Sequence, residues 1–548
     1  MLKRKILSVF LLYAFLLPTV AFAQTSAVYT APAADIAKIR EEGSKNSHVM
    51  KTLSYLTDVI GGRLTNSPSM KRANEWTRDE MKRWGMQNAK LEAWGPFGRG
   101  WSLNNFTAQV VEPQVIPVIA YPKAWSPSTK GAITSEVVYF DAENEEDFAK
   151  YKGKLKGKIV LVSKPRELKA EFESLGVRYT DEQLAELATL DPKTADKFGA
   201  YRLASPDTIQ MFLKFRQKAA KRLNFLFDEG TAVMVDNSVK GSGGTVFVSG
   251  ANVAQKVPET VDEMFPINRL SAWDKAAESK IIPQITIATE DYNRLIRMIG
   301  FGEKLKMTVN IDAKYHDEDL MGYNTVAEIP GTDPKLKDEV VMLGGHLDSW
   351  HSSTGATDNA AGCAVAMEAA RIIMASGLKP RRTIRVALWS GEEQGLNGSF
   401  AYVKQHFGEM KGEGETRKLV KTPEYEKLSA YYNLDNGTGK IRGVYLQENA
   451  AVKPIFEKWL APFADMGAKT VTLANTAGTD HMTFDEIGLP GFQFIQDEIE
   501  YDTRTHHSNQ DNFDRIQADD MKQAATIMAA FVYQTAMMDE KLPRKPLN

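Results

Sequence analysis

His346, Asp358, Glu392, Glu393, Asp435 and His507 are the residues of this chain whose types and order could do chemistry together. Zinc takes imidazole nitrogen and carboxylate oxygen, and two zinc ions roughly 3.5–4 Å apart need a bridging acid plus two further ligands each. His346, Asp358, Glu393, Asp435 and His507 supply that set, and Glu392 is the spare acid beside a ligand, where a general base belongs.

Each segment alone has an ordinary reading. Gly344-Gly345-His346-Leu347-Asp348 follows an apolar strand pattern, and Asp348 is two residues on, able to accept the ring's other N–H and fix its tautomer. A plain hydrogen-bonded pair in a loop fits equally. Asp358 precedes an Ala-rich helix, where an N-cap is the common role, although a carboxylate there can also bridge two ions. In Ser390-Gly391-Glu392-Glu393-Gln394-Gly395 two adjacent acids repel unless a cation joins them. Asp435-Asn436-Gly437 is also turn chemistry, and either His506 or His507 fits a ligand role by chemistry alone. The combination, in order along one region, carries the argument.

The elements that must position these groups alternate between strand and helix from about Tyr323. Val340 to Leu343, Thr383 to Trp389, Ala430 to Leu434 and Gly491 to Ile495 read as buried strands, with helices over Asn359 to Ser376 and Ile516 to Ala536. This pattern predicts an α/β fold with a mostly parallel central sheet flanked by helices, its site at the carboxyl ends of the strands. Helical spacing also marks Ile36 to Leu56 and Met70 to Trp84.

From about Pro122 the character changes to short strands, at Val137–Phe140, Lys158–Val162, Ala232–Val235, Thr245–Val248 and Gln284–Ile287. They predict a β-rich module, interrupted by a helical insert over 166–228 whose Phe212, Phe215, Phe225 and Phe227 read first as core.

The 548 residues exceed a single core, and the formal net charge of −2 gives no case for nucleic acid. Lys3, Arg4 and Lys5, an apolar run Ile6 to Leu17 and Ala21-Phe22-Ala23 read as a signal peptide over 1–23, so an exported protein, periplasmic or secreted, is expected. No later segment is long and apolar enough to cross a membrane. The single cysteine, Cys363, cannot form an internal disulfide and reads as core filler.

Gly344-Gly-His-Leu-Asp-Ser-Trp350, Trp389-Ser-Gly-Glu-Glu393 and Asp435-Asn-Gly-Thr438 resemble the co-catalytic zinc exopeptidases, above all the carboxypeptidase Q branch. The resemblance implies that His346, Asp358 and Asp435 hold one zinc and Asp358, Glu393 and His507 the other. Glu392 is then the general base on a zinc-bridging water and Asp348 the partner of His346. Ser508 and Asp511 fit the family's register after the ligand histidine, which favours His507 over His506. Thr479-Asp480-His481 is similar to a supporting segment of that family. His351 departs from it, where relatives often carry an acid, and no tyrosine stands close before Asp480 to steady an oxyanion.

Gly157-Lys-Ile-Val-Leu-Val162 and Ile282-Pro-Gln-Ile-Thr-Ile287 resemble a protease-associated domain. The organisation implied is an N-terminal part of the peptidase domain at 24–121, the protease-associated-like domain at 122–312, and the catalytic domain at 313–548. The activity implied is hydrolysis of peptide bonds near a free terminus of peptides or dipeptides, as an aminopeptidase or a carboxypeptidase Q-like dipeptidase, with zinc, cobalt or manganese as the ion. A one-zinc glutaminyl cyclase and a catalytically dead receptor-like binding protein of the same fold are the alternatives. The large insert and full donor set weigh against both.

Overall fold

The computed structural model describes residues 28–192, 206–264, 269–412 and 414–547. The signal-peptide expectation for 1–23 and part of the 166–228 insert lie outside them. Two eight-stranded sheets organise the rest.

The first sheet runs in the order Gln87–Trp94, Gly322–Ile329, Thr383–Trp389, Val340–His346, Leu428–Asn433, Gly491–Gln496, Ile441–Tyr445, Thr470–Thr472. Its four central strands, from Thr383–Trp389 to Gly491–Gln496, are mutually parallel, and antiparallel neighbours flank them. The sheet is therefore mixed α/β, as the alternation predicts.

Val340–His346 is apolar throughout because both its faces are covered. Val341 and Leu343 join the core beneath the helices Ala361–Ala375 and Ala518–Met537, while Val340 and Met342 face the opposite core with Tyr402, Phe407 and Phe484. An alternating polar face would leave side chains unsolvated here, so none is present. The helix Ala361–Ala375 is small-residue rich for a similar reason. A Cβ on Gly362 would stand 2.1 Å from the carbonyl oxygen of Leu434, so only glycine lets this helix close onto the neighbouring strand end.

The second sheet joins Gly100–Glu112, Lys306–His316, Ile133–Tyr139, Ile159–Leu161, Val233–Asn237 and Gln284–Ile287, with short edge strands at Ile116–Pro117 and Ala120–Pro122. It reaches outside the 122–312 span, because the long antiparallel pair Gly100–Glu112 and Lys306–His316 forms its wall. These long strands mix polar and apolar positions, which hid them from a search for apolar runs. Thr245–Val248 is not a sheet strand. Glycines at 241, 243 and 244 precede it, and its N–H groups go to the Ser238 hydroxyl, the Asn509 side chain and the His507 carbonyl instead.

His406, at the end of the helix Asn397–His406, joins the edge strand to the loop before Tyr425. Its Nε2 lies 2.9 Å from Glu92 and its Nδ1 3.1 Å from Glu424, with the ring stacked on Tyr402 at 4.2 Å. Burial opposes the charge on His406, but the two carboxylates raise its pKa above the ordinary 6.5. Burial likewise works against Glu92, yet His406 and Lys90 hold it down at about 2. The histidine contribution is complete below its unfolded pKa and lost as pH rises through the folded one. The Glu92 contribution is complete above about 4.5 and lost as pH falls toward about 2. His406→Asn is expected to destabilise the fold at about pH 5.5 and to matter little near about pH 9.5, by denaturant titration at both. An equal effect at the two pH values would refute the charge pairing.

Candidate active site

The parallel strands Val340–His346, Thr383–Trp389 and Leu428–Asn433 all end at the same edge, and each is followed by an acid or histidine. His346 closes the first, Glu392 and Glu393 follow the second, and Asp435 follows the third. Asp358 stands on the loop before the helix Ala361–Ala375, and its peptide bond to Asn359 is cis. His507 comes from a distant loop after Tyr501–Thr505, with a positive φ of 64°.

The six side chains converge. His346 Nε2 lies 3.1 Å from Asp358 Oδ1, 3.3 Å from Asp435 Oδ1 and 3.9 Å from Glu392. His507 Nε2 lies 3.2 Å from Asp358 Oδ2 and 2.9 Å from Glu393 Oε2. The two oxygens of Asp358 thus address two different histidines. His506 is farther from Asp358, at 3.9 Å, and its ring stacks on Tyr501 instead.

Electrostatics make this cluster unfavourable without cations. Burial, with Asp358 beside it, pushes Glu393 up to about 7. Burial and the neighbouring acids Asp435, Asp480 and Glu393 push Glu392 well above the ordinary carboxylate range, against the pull of His346. Burial opposes the charge on His507, but Glu393 and Asp358 hold it up at about 11. Glu393 Oε1 and Asp435 Oδ1 are buried without a hydrogen-bond partner. Donor atoms of His346, Asp358 and Glu393 lie within 4.8 Å of one another, as do those of Asp358, His506 and His507. Buried, unpaired carboxylate oxygens facing imidazole nitrogens are what divalent cations relieve, so the residues fit metal.

Asp348 stands beside His346, as the sequence expectation has it, but its backbone carbonyl comes closer than its carboxylate. The Nδ1 of His346 is 3.0 Å from the backbone carbonyl of Asp348 and 3.6 Å from its carboxylate. That carboxylate accepts instead from Thr65 Oγ1 at 2.9 Å and from the N–H groups of Glu392 and Glu393 at 3.3 Å each. It holds the Glu–Glu turn in place. Asp511 similarly accepts from the N–H of Thr357 at 2.6 Å and of Asp358 at 3.1 Å, fixing the loop that presents Asp358.

Sequence reasoning missed three residues here. Arg63, fully buried, donates to the carbonyls of Leu347 at 2.7 Å, Thr354 at 2.7 Å, Gly355 at 2.8 Å and Gly61 at 3.0 Å, tying down the loop between His346 and Asp358. The available signal was an arginine directly after Gly61-Gly62, between two apolar helices. Thr65 is the second. Tyr501 is the third, its ring 3.0 Å from where a Cβ on Gly437 would lie and its phenol raised by burial and then by Asp358 and Asp435.

His351 and His481 are structural. His351 Nε2 bonds the Pro122 carbonyl at 2.7 Å with its ring edge-on to Trp101, and burial pushes it down to about 4. His481 Nε2 is 3.0 Å from the Thr476 carbonyl and is also pushed down to about 4 by burial. Cys363 is buried in the core with its thiol pushed up to about 12, as filler requires.

Residues 324–532, the stretch that carries all of these groups but Arg63 and Thr65, match Peptidase family M28. Over this stretch, which is less than half of the chain, the sequence is similar to that family. Among similar proteins, human carboxypeptidase Q is 33% identical over 264 residues, covering 48% of this chain and 52% of that protein. The bovine carboxypeptidase Q is 26% identical over 506 residues, 92% of this chain and 88% of that protein. Aminopeptidase YwaD of Bacillus subtilis is 26% identical over 48% of this chain and 53% of that protein. The match thus spans about half the length of most of these relatives. In structure, the Peptidase M28 precursor of Shewanella amazonensis superposes with a TM-score of 0.62 over 93% of this chain and 98% of its own, at 21% identity. The zinc aminopeptidase BSAP of Bacillus subtilis gives 0.53 over 90% and 95%, at 18% identity. Both share the fold.

Arg63→Ala removes the donor to the buried carbonyls of Leu347 and Gly355, each costing roughly 1–3 kcal/mol when left unmet, and to the half-buried carbonyls of Gly61 and Thr354. A loss of at least about 3 kcal/mol in denaturant unfolding is expected, with early proteolysis in the 347–355 loop. A variant as stable as the parent would show that the loop holds itself.

Proposed function

We propose that this protein is an exported di-zinc metallo-exopeptidase that hydrolyses peptide bonds near a free terminus of peptides or dipeptides. The single observation that carries the reading is Asp358, whose two oxygens stand 3.1 and 3.2 Å from two different imidazoles, each beside a further acid. In this reading His346, Asp358 and Asp435 hold one ion and Asp358, Glu393 and His507 the other. Bound there, such ions polarise a substrate carbonyl and lower the pKa of water.

The chain's own groups do the rest. Glu392 sits at the rim of the cluster with its proton affinity raised by burial and neighbouring acids, which suits a group that must first take a proton and then give it up. It accepts the proton of the attacking water as the oxygen bonds to the scissile carbon. It then delivers that proton to the amine nitrogen as the C–N bond breaks. Asp348 keeps the Glu392–Glu393 turn in register, and Asp511 and Arg63 do the same for Asp358 and its loop. Trp350, edge-on to His507 at 5.9 Å, supplies an apolar wall that limits water.

A receptor-like dead relative would lack donors, and the complete set argues for turnover. Export rests on the reading of residues 1–23 as a signal. No helix among the described residues is long and apolar enough to cross a membrane.

Glu392→Gln is expected to leave bound metal unchanged and to lower kcat by about 10²–10⁴-fold on a panel of dipeptides with free and blocked termini. Asp358→Ala should lose both ions and His507→Ala one, counted by elemental analysis after dialysis. Undiminished turnover in the glutamine variant sinks the assignment of the base, and unchanged metal in the aspartate variant sinks the shared-ligand arrangement.

A further inference from the structure

Away from the site, the helix Pro206–Asp228 does not pack flat on the second sheet but roofs a cavity of about 900 Å³. Phe225 of this helix goes to the core, stacked on Phe148 and Phe140 at 4.7 and 5.7 Å. Phe215 lies at the cavity mouth, 67% exposed. The floor is apolar, with Leu223, Leu226, Met234, Val253 and Trp273 among its residues. That volume and lining are typical of a site for a small organic ligand.

The charged groups around it are unbalanced. Arg216, Arg222 and Arg269 line the cavity, with Asp236 as its acid. Asp236 is already paired with Lys123. Two lining lysines are spoken for as well, since Lys164 and Lys218 both face Glu143. The guanidinium of Arg222 donates to the backbone carbonyls of Ala142 and Val162 and lies over the Phe140 ring at 5.2 Å. Arg269 meets the Glu263 carbonyl at 3.4 Å, and the Glu263 carboxylate is engaged by Lys256 and the Glu259 N–H. Burial and the nearby positive charge of Arg216 both work against the proton on Arg269. Among the described residues, none of the three arginines that line the cavity has a carboxylate within ion-pair distance. Arginines that have no carboxylate in ion-pair contact and stand beside an apolar hollow are stabilised by an anion that brings its own apolar body.

We propose that this cavity is a second ligand site, taking a molecule with one carboxylate head held by Arg216 and Arg269 and an apolar body lying against Leu223, Leu226 and Trp273. The free carboxyl end of an apolar peptide and a fatty acid share this chemistry. The site is separate from the hydrolytic cluster but not remote from it. Trp273 packs on Trp125 at 5.0 Å, Trp125 on Trp350 at 6.4 Å and Trp350 on His507 at 5.9 Å. The helical insert thereby gains a role that core packing alone does not give it.

Calorimetric titration of the whole protein with dodecanoate and with N-acetyl-tri-D-leucine, which the enzyme cannot consume, tests the site. The controls are dodecylammonium and the peptide amide. Saturable one-to-one binding of at least one acid, with neither control binding, is expected, and which acid binds identifies the source. Arg216→Glu and Arg269→Glu should each weaken it by at least about tenfold. Ala219→Trp, which fills the cavity from an exposed helix position, should do the same without touching charge. The dipeptidase rate is not part of the readout, so failure here is distinct from failure of the hydrolase reading. Absence of binding by both acids, equal binding of the controls, or binding unchanged in the three variants would overturn the proposal.

Discussion

Mutual repulsion among buried carboxylates is the constraint on which the rest of this molecule turns. Asp358, Glu392, Glu393 and Asp435 are brought to one sheet edge, and two of their oxygens have no hydrogen-bond donor. Folding a chain so that these groups meet is unfavourable unless positive charge joins them. The two histidines provide some of it, and the acids around them raise their proton affinity against the effect of burial. Everything around the cluster serves to hold groups together that would otherwise separate.

That holding is done mainly by backbone. Arg63 fixes a loop through three carbonyls, Asp511 fixes the next through two N–H groups, and Asp348 fixes the Glu–Glu turn through two more. Side chains placed by such anchors have little freedom to relax when charge changes. Preorganisation of this kind is what lets a polar site act without rearranging during reaction.

The central sheet was legible in the chain because its strands are apolar on both faces, as Val340–His346 and Thr383–Trp389 illustrate. The acids were legible because each follows such a strand within a few residues. The edge strand Gln87–Trp94 and the long pair Gly100–Glu112 and Lys306–His316 were not, since exposure on one side breaks up the apolar runs, although Lys306–His316 alternates polar and apolar residues. Arg63 was hidden because its partners lie as far as 292 positions away and are carbonyls, which no residue type reveals. Asp348 was legible as the partner of His346, with its carboxylate 3.6 Å from Nδ1, but its backbone carbonyl comes closer. Two-residue spacing on a strand points both groups to one side, but the chain turns after His346 and presents the carbonyl first.

The short stretch Val246–Val248 carries a consequence for how such a molecule is built. It is extended, yet it pairs with no sheet; its backbone exchanges hydrogen bonds with His507 and Asn509. The loop bearing the last histidine is thus half-supported by chain that lies 263 positions earlier. This stretch buttresses that loop. Removing this stretch would leave the His507 loop without those hydrogen bonds on one side, where Pro122 against His351 and Trp125 against Trp350 add further contacts.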